Sequence, residues 1–148
     1  ESTLNVGTTV TLSLPIVDRA EWYLARLKFN SSSKIFVIDD QESALELWKM
    51  KFDESQIFNQ AKFSMSGQIL EFSSAHLIEH AKNYAYLVDY DLSSKISGLE
   101  LLMKLPNNSF RCLVTGNFDD PSLRTACSSA GIYLIPKSSI SALPIVVV

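Results

Sequence analysis

The stretch Ala85-Tyr86-Leu87-Val88-Asp89-Tyr90-Asp91-Leu92 constrains this chain most. It opens on four residues without polar alternation and stops on a carboxylate, the pattern of a strand buried on both faces of a parallel sheet. Three other short runs end in the same way: Lys34 to Ile38 on Asp39-Asp40, Arg111 to Val114 on Thr115, and Ile132 to Ile135 on Pro136-Lys137. Open α/β sheets take their ligands at the carboxyl ends of strands. Four strand ends therefore bring acids, a hydroxyl and an ammonium to one edge.

Helical spacing fills the intervals between these runs. It predicts helices at about 41–54, with Ala44, Leu45, Trp48 and Phe52 on one face, and at about 73–82, 98–105 and 120–130, with a weak strand inside 58–65. The helix at 120–130 is the best marked. Asp120 suits an N-cap, Pro121 the first helical position, and Gly131 the end. Strands alternating with helices of these lengths imply right-handed crossovers and an α/β fold with a doubly wound parallel sheet.

A chain of 148 residues holds one domain with short additions and needs neither disulfide nor metal to fold. Its net charge of −3, with no basic face, argues against a nucleic-acid partner. Cys112 and Cys127 lack any ligand spacing and read as reduced core residues. No stretch reaches the ~20 apolar residues that span a bilayer, so a cytoplasmic segment without direct membrane contact is expected. A first residue other than Met suggests a piece of a longer protein, in which a membrane anchor could lie upstream. His76 and His80 are spaced i, i+4 but have no third ligand in view, and Trp48 and Phe52 read as core.

Paired Asp39-Asp40 converges with Asp89 if their strands are neighbours. Carboxylates that close together repel unless a hard divalent cation neutralises them, and oxygen ligation that retains water suits Mg²⁺. A carboxylate there can attack phosphorus, with Thr115 and Lys137 binding the phosphoryl oxygens. The competing reading of Asp39-Asp40 alone is a helix N-cap.

Two families resemble this inventory. Asp89-Tyr90-Asp91-Leu92-Ser93 is similar to the Asp-x-Asp-x-Ser/Thr motif of haloacid-dehalogenase-type phosphatases, although their acid pair follows the lysine. The order Asp39-Asp40, Asp89, Thr115, Lys137, with Gly98-Leu99-Glu100-Leu101-Leu102, resembles the receiver domains of two-component response regulators over about residues 34–137. Gly7-Thr8-Thr9 and the alternating Val10, Leu12, Leu14 and Ile16 resemble the end of a histidine-kinase ATP-binding domain.

The receiver resemblance implies the C-terminal end of a hybrid sensor histidine kinase. Its expected division is a remnant kinase strand at 1–17, a connector at 18–33 and a receiver at 34–148. The expected fold is a flavodoxin-like five-stranded sheet in the order 2-1-3-4-5, with the last helix shortened or absent. The resemblance makes Asp89 the phosphoacceptor and has Asp39, Asp40, Asp89 and the Asp91 backbone carbonyl hold Mg²⁺. Thr115 and Lys137 contact the phosphoryl group, Gly116 leaves room for it, and Asp91 and Asn117 tune access of water. The implied partner is a histidine kinase or a histidine phosphotransfer domain. The alternative is a pseudo-receiver serving as a phosphorylation-independent interaction module.

Three departures from the receiver pattern stand out. Leu134 occupies the place of an aromatic, with Tyr133 one residue earlier, and the loop after Asp89 is one residue longer than usual. Ser138 to Val148 is too short, and broken by Pro144, for a long last helix. The sheet face so exposed predicts that residues 20–29 pack back on it, with Trp22 or Tyr23 largely buried beside Ile140, Leu143 and Ile145. A homodimer over the same face is the rival.

Overall fold

A computed structural model describes residues 2–3, 7–15, 22–65, 83–93 and 95–148. The helix expected near 73–82, with His76 and His80, lies outside the described residues, as does Ile16. Short β1 (Ser2–Thr3) and β2 (Gly7–Thr8) pair antiparallel, followed by β3 (Leu27–Phe29) and β4 (Lys34–Ile38). Then come α1 (Glu42–Glu54), β5 (Ala61–Ser64), β6 (Tyr84–Asp89) and α2 (Gly98–Lys104). The chain closes with β7 (Phe110–Thr115), α3 (Pro121–Ser129), β8 (Tyr133–Pro136) and β9 (Ile145–Val147).

Among the described residues, the central sheet has five parallel strands in the order β5-β4-β6-β7-β8. The expected numbering 2-1-3-4-5 assumed five strands in all; it does not carry over, because β1, β2 and β3 precede the sheet and β9 follows it. The chain leaves β4 toward β5 on one side and returns past it to β6 on the other. The direction of progress thus reverses between β4 and β6, which is where an open α/β sheet forms its ligand crevice.

Strand side chains alternate between two buried layers, as their period of two requires. Ile35, Val37, Ala85, Leu87, Cys112 and Val114 pack with Leu45, Trp48 and Phe52 of α1. Phe36, Ile38, Tyr86, Val88, Leu113 and Leu134 pack with Leu101 and Leu102 of α2 and Leu123 and Cys127 of α3. Both thiols are free and buried. Local chemistry sets the helix ends. Ser97 and Glu100 form a reciprocal capping box at α2, and Asp120 accepts from the Ser122 amide at 2.8 Å with Pro121 opening α3. Gly131, at φ 63°, supplies the left-handed turn after α3.

The last helix is replaced by a 3₁₀ segment, Lys137–Ala142, followed by β9. β9 pairs in parallel with β3, with Leu27 beside Ile145 and Phe29 beside Val147. The connector does pack onto the first core layer, though through Leu27 and Phe29, both buried, alongside buried Ile140 and Leu143 and half-buried Ile145. Trp22 and Tyr23 are only half-buried, which corrects the expectation that one of them fills the gap. They sit at the β8 edge instead, where Tyr23 bridges to Leu134 and Trp22 stacks on Phe118 under the Arg124 guanidinium. Residues 9–15 form no strand, and Val10, Leu12 and Leu14 are exposed, so the alternation there is not matched by half-burial in this chain. No helix among the described residues is long and apolar enough to cross a membrane.

Candidate functional site

β4 and β6 are neighbours in register, with Ile38 beside Val88, so the residues that follow them emerge side by side. Asp39, Asp40 and Asp89 each offer a carboxylate oxygen, and these atoms lie within 4.8 Å of one another. Asp39 and Asp89 are each 1% exposed, and Asp40 is half-buried. Lys137, at the end of β8, reaches across to pair with Asp89 Oδ1 at 2.9 Å and Asp39 Oδ2 at 3.3 Å.

Each acid is held differently. Asp39 Oδ1 accepts from the Gln41 amide at 2.9 Å, a local turn that leads into α1; the N-cap of α1 is Gln41, with no side-chain cap bond, so the helix-cap reading of Asp39-Asp40 is not realised. The Ser93 hydroxyl donates to Asp40 Oδ2. Asp40 Oδ1 and Asp89 Oδ2 are buried, with no hydrogen-bond partner among the described residues. Such orphaned oxygens are costly in a folded protein and point to a missing partner. Three carboxylates against one ammonium leave the cluster at −2 when the acids are ionised. A divalent cation meets both requirements, since it neutralises that charge and coordinates the orphaned oxygens.

Burial is the largest influence on the Asp89 carboxyl and pushes its pKa up, with Asp39 and Asp40 adding to the rise and Lys137 opposing it. Burial disfavours the Lys137 ammonium, but the hydrogen bonds and charges of Asp89 and Asp39 outweigh it and raise its pKa. Lys137 is therefore a fixed cation at neutral pH. One ammonium shared between two buried acids does not offset the desolvation of Asp89.

Thr115, fully buried at the end of β7, accepts from the Asn117 amide at 3.0 Å through its hydroxyl oxygen. Gly116 and Asn117 are exposed beyond it, and a Cβ on Gly116 would meet nothing within 4 Å. The Asp91 side chain is exposed. Leu134, which occupies the place of an aromatic, is fully buried. Tyr133 stacks on Phe110 at the opening of β8, three register positions before the Thr115–Pro136 pair.

Two residues that the sequence shows only as members of motifs, with no role of their own assigned, also shape the site. Ser93 is the first, marked by the Asp-x-Asp-x-Ser spacing. Gly98 is the second: its amide donates to the Tyr90 carbonyl at 3.0 Å, closing the loop after β6, and a Cβ there would stand 1.8 Å from the Asp89 carbonyl oxygen. Only glycine fits so close to the backbone. Gly98→Ala is expected to displace the Asp89 main chain and cost about 1–3 kcal/mol, the usual range for overpacking. Chemical denaturation checks this. An Ala variant as stable as the parent would show that the approach relaxes freely.

Comparison with protein-family models, with curated proteins and with solved structures gives no match. The functional reading therefore rests on the geometry of this chain.

Proposed function

We propose that this chain is a phosphoacceptor domain of the receiver type, flavodoxin-like in its central sheet, whose Asp89 takes a phosphoryl group. The observation that carries the reading is the convergence of Asp39, Asp40 and Asp89 at the sheet's switch point, with Lys137 bridging two of them. Asp39, Asp40, Asp89 and the Asp91 carbonyl would hold Mg²⁺, which when bound offsets the negative charge of the incoming phosphoryl oxygens. An Asp89 carboxylate oxygen attacks phosphorus. A P–O bond forms, the bond from phosphorus to the donor breaks, and the donor atom keeps the electron pair; with phosphohistidine that atom is the imidazole nitrogen. Lys137 stays protonated and turns from Asp89 toward the transferred group, while the Thr115 hydroxyl donates to a phosphoryl oxygen. The donor is a histidine kinase or a histidine phosphotransfer domain, and the setting is cytoplasmic.

Incubation with Mg²⁺ and a small-molecule phosphodonor is expected to introduce one phosphate per chain, stable in acid and labile in base. Intact-mass measurement with and without Mg²⁺ checks it. No incorporation, or incorporation at serine, overturns the proposal. The second reading, a phosphorylation-independent interaction module, draws on the buried Leu134 and the displaced Tyr133, which leave β8 without an aromatic beside Thr115. That reading predicts neither Mg²⁺ binding nor label.

A further inference from the structure

We infer that Ser93 is a positioning residue for Asp40, fixing which of its oxygens faces the cation site; this rests on the reading above. Asp39 is held by the Gln41 amide and Lys137, and Asp89 by Lys137. Asp40 has neither an amide donor nor an ammonium among the described residues. The Ser93 hydroxyl, 53 positions along the chain, is the group that engages it. A half-buried aspartate without such a tether is free to swing its carboxylate into water.

Ser93 is placed to provide that tether. The loop that carries it is closed at its base by the Tyr90 amide on the Val114 carbonyl and by the Gly98 amide on the Tyr90 carbonyl, both at 3.0 Å. Leu92, next to Ser93, is 9% exposed between exposed Asp91 and exposed Ser93, so its side chain pins the loop to the core while its neighbours face out. With Asp40 Oδ2 engaged by Ser93, Oδ1 is the oxygen left buried and unpartnered, as is Oδ2 of the nearly inaccessible Asp89. The hydroxyl thus orients a ligating carboxylate from behind. Outer hydrogen bonds of this kind are worth about 10–100-fold in metal affinity. Since this one lies at the surface, about 10-fold is expected.

The test is Mg²⁺ binding to the full chain by titration calorimetry, with no phosphodonor present. Ser93→Ala is expected to weaken binding about 10-fold. Ser93→Thr, which keeps the hydroxyl, restores it, and both variants melt without Mg²⁺ as the parent does. If the parent binds Mg²⁺ and Ser93→Ala binds equally or more tightly, Ser93 is idle or competes for Asp40, and the inference fails alone. If the parent binds no Mg²⁺ at millimolar concentration, the cation reading fails and this inference with it. A Ser93→Thr variant as weak as Ser93→Ala would place the effect in loop packing rather than in the hydroxyl, which also overturns it.

Discussion

Asp89→Asn is expected to take phosphoryl incorporation to background while leaving the melting temperature equal to or above that of the parent chain. The two outcomes share one cause. An amide nitrogen or oxygen at this position has no anionic electron pair to offer phosphorus, so the transfer step is lost entirely. In the cation-free chain, however, ionised Asp89 is a burden, because burial raises its pKa despite Lys137. The folded chain then retains a proton that the unfolded chain has released. Ionisation of Asp89 accordingly subtracts stability as pH rises from the ordinary carboxylate value through the higher folded one. Lys137 acts in another window: its pKa is also raised, so its contribution is present below the ordinary lysine value and fades only as pH climbs through the folded value above it. Asp89→Asn removes the first slope and shrinks the second, because Asp89 supplies part of what raises Lys137 and Asp39 the rest. Intact-mass labelling together with melting curves across the acid range checks both halves. Label at the parent level in the Asn variant excludes Asp89 as the acceptor, and a large loss of stability would make its carboxylate structural. A residue that chemistry requires and folding does not favour is the usual signature of a functional site.

The parts of the molecule that sequence revealed are those with local causes. Val37-Ile38 before Asp39 and Leu87-Val88 before Asp89 read as strands because burial on both faces leaves no polar alternation to find. Asp120, Pro121 and Gly131 bracket α3 through backbone chemistry that acts within a turn. The acids of the site were legible because strand ends in such sheets project to one edge. Long-range causes were hidden. β3 and β9 are three residues each, and Leu27 pairs with Ile145 although the whole of the central sheet lies between them in the chain. Arg111 read as the polar start of a strand, yet it is buried and spans to the carbonyls of Leu102 and Ala130, satisfying the ends of two helices. The bond between Ser93 and Asp40 and the glycine at position 98 likewise depend on distances that spacing along the chain does not encode.

Phe29→Ala is expected to destabilise the fold by about 3–5 kcal/mol, the range for a buried aromatic truncated in a core. Phe29 is 2% exposed and packs edge-on against both Phe52 of α1 and Phe110 of β7, with ring centroids 6.2 Å apart in each case. Alanine would remove those contacts and open a cavity where β3, α1 and the sheet meet. The loss is not confined to one side chain, because β3 is also the strand that anchors β9. The pair is extended by the Leu27 amide on Pro144 and the Val148 amide on Phe29, each at 2.9 Å. Together these two strands and the 137–142 turn cover the layer that a long last helix would otherwise cover. At about 2–4 °C per kcal/mol for a chain of this size, the melting temperature should fall by roughly 10 °C. Lys28→Ala is the matched control: the lysine lies in the same strand, exposed between buried Leu27 and Phe29, and its removal should change stability by less than about 0.5 kcal/mol. A Phe29→Ala chain that melts with the control would mean that the upstream segment is not part of the core. A large loss in Phe29→Ala alone makes the connector an integral layer of the fold, so a fragment cut at residue 34 should not fold stably.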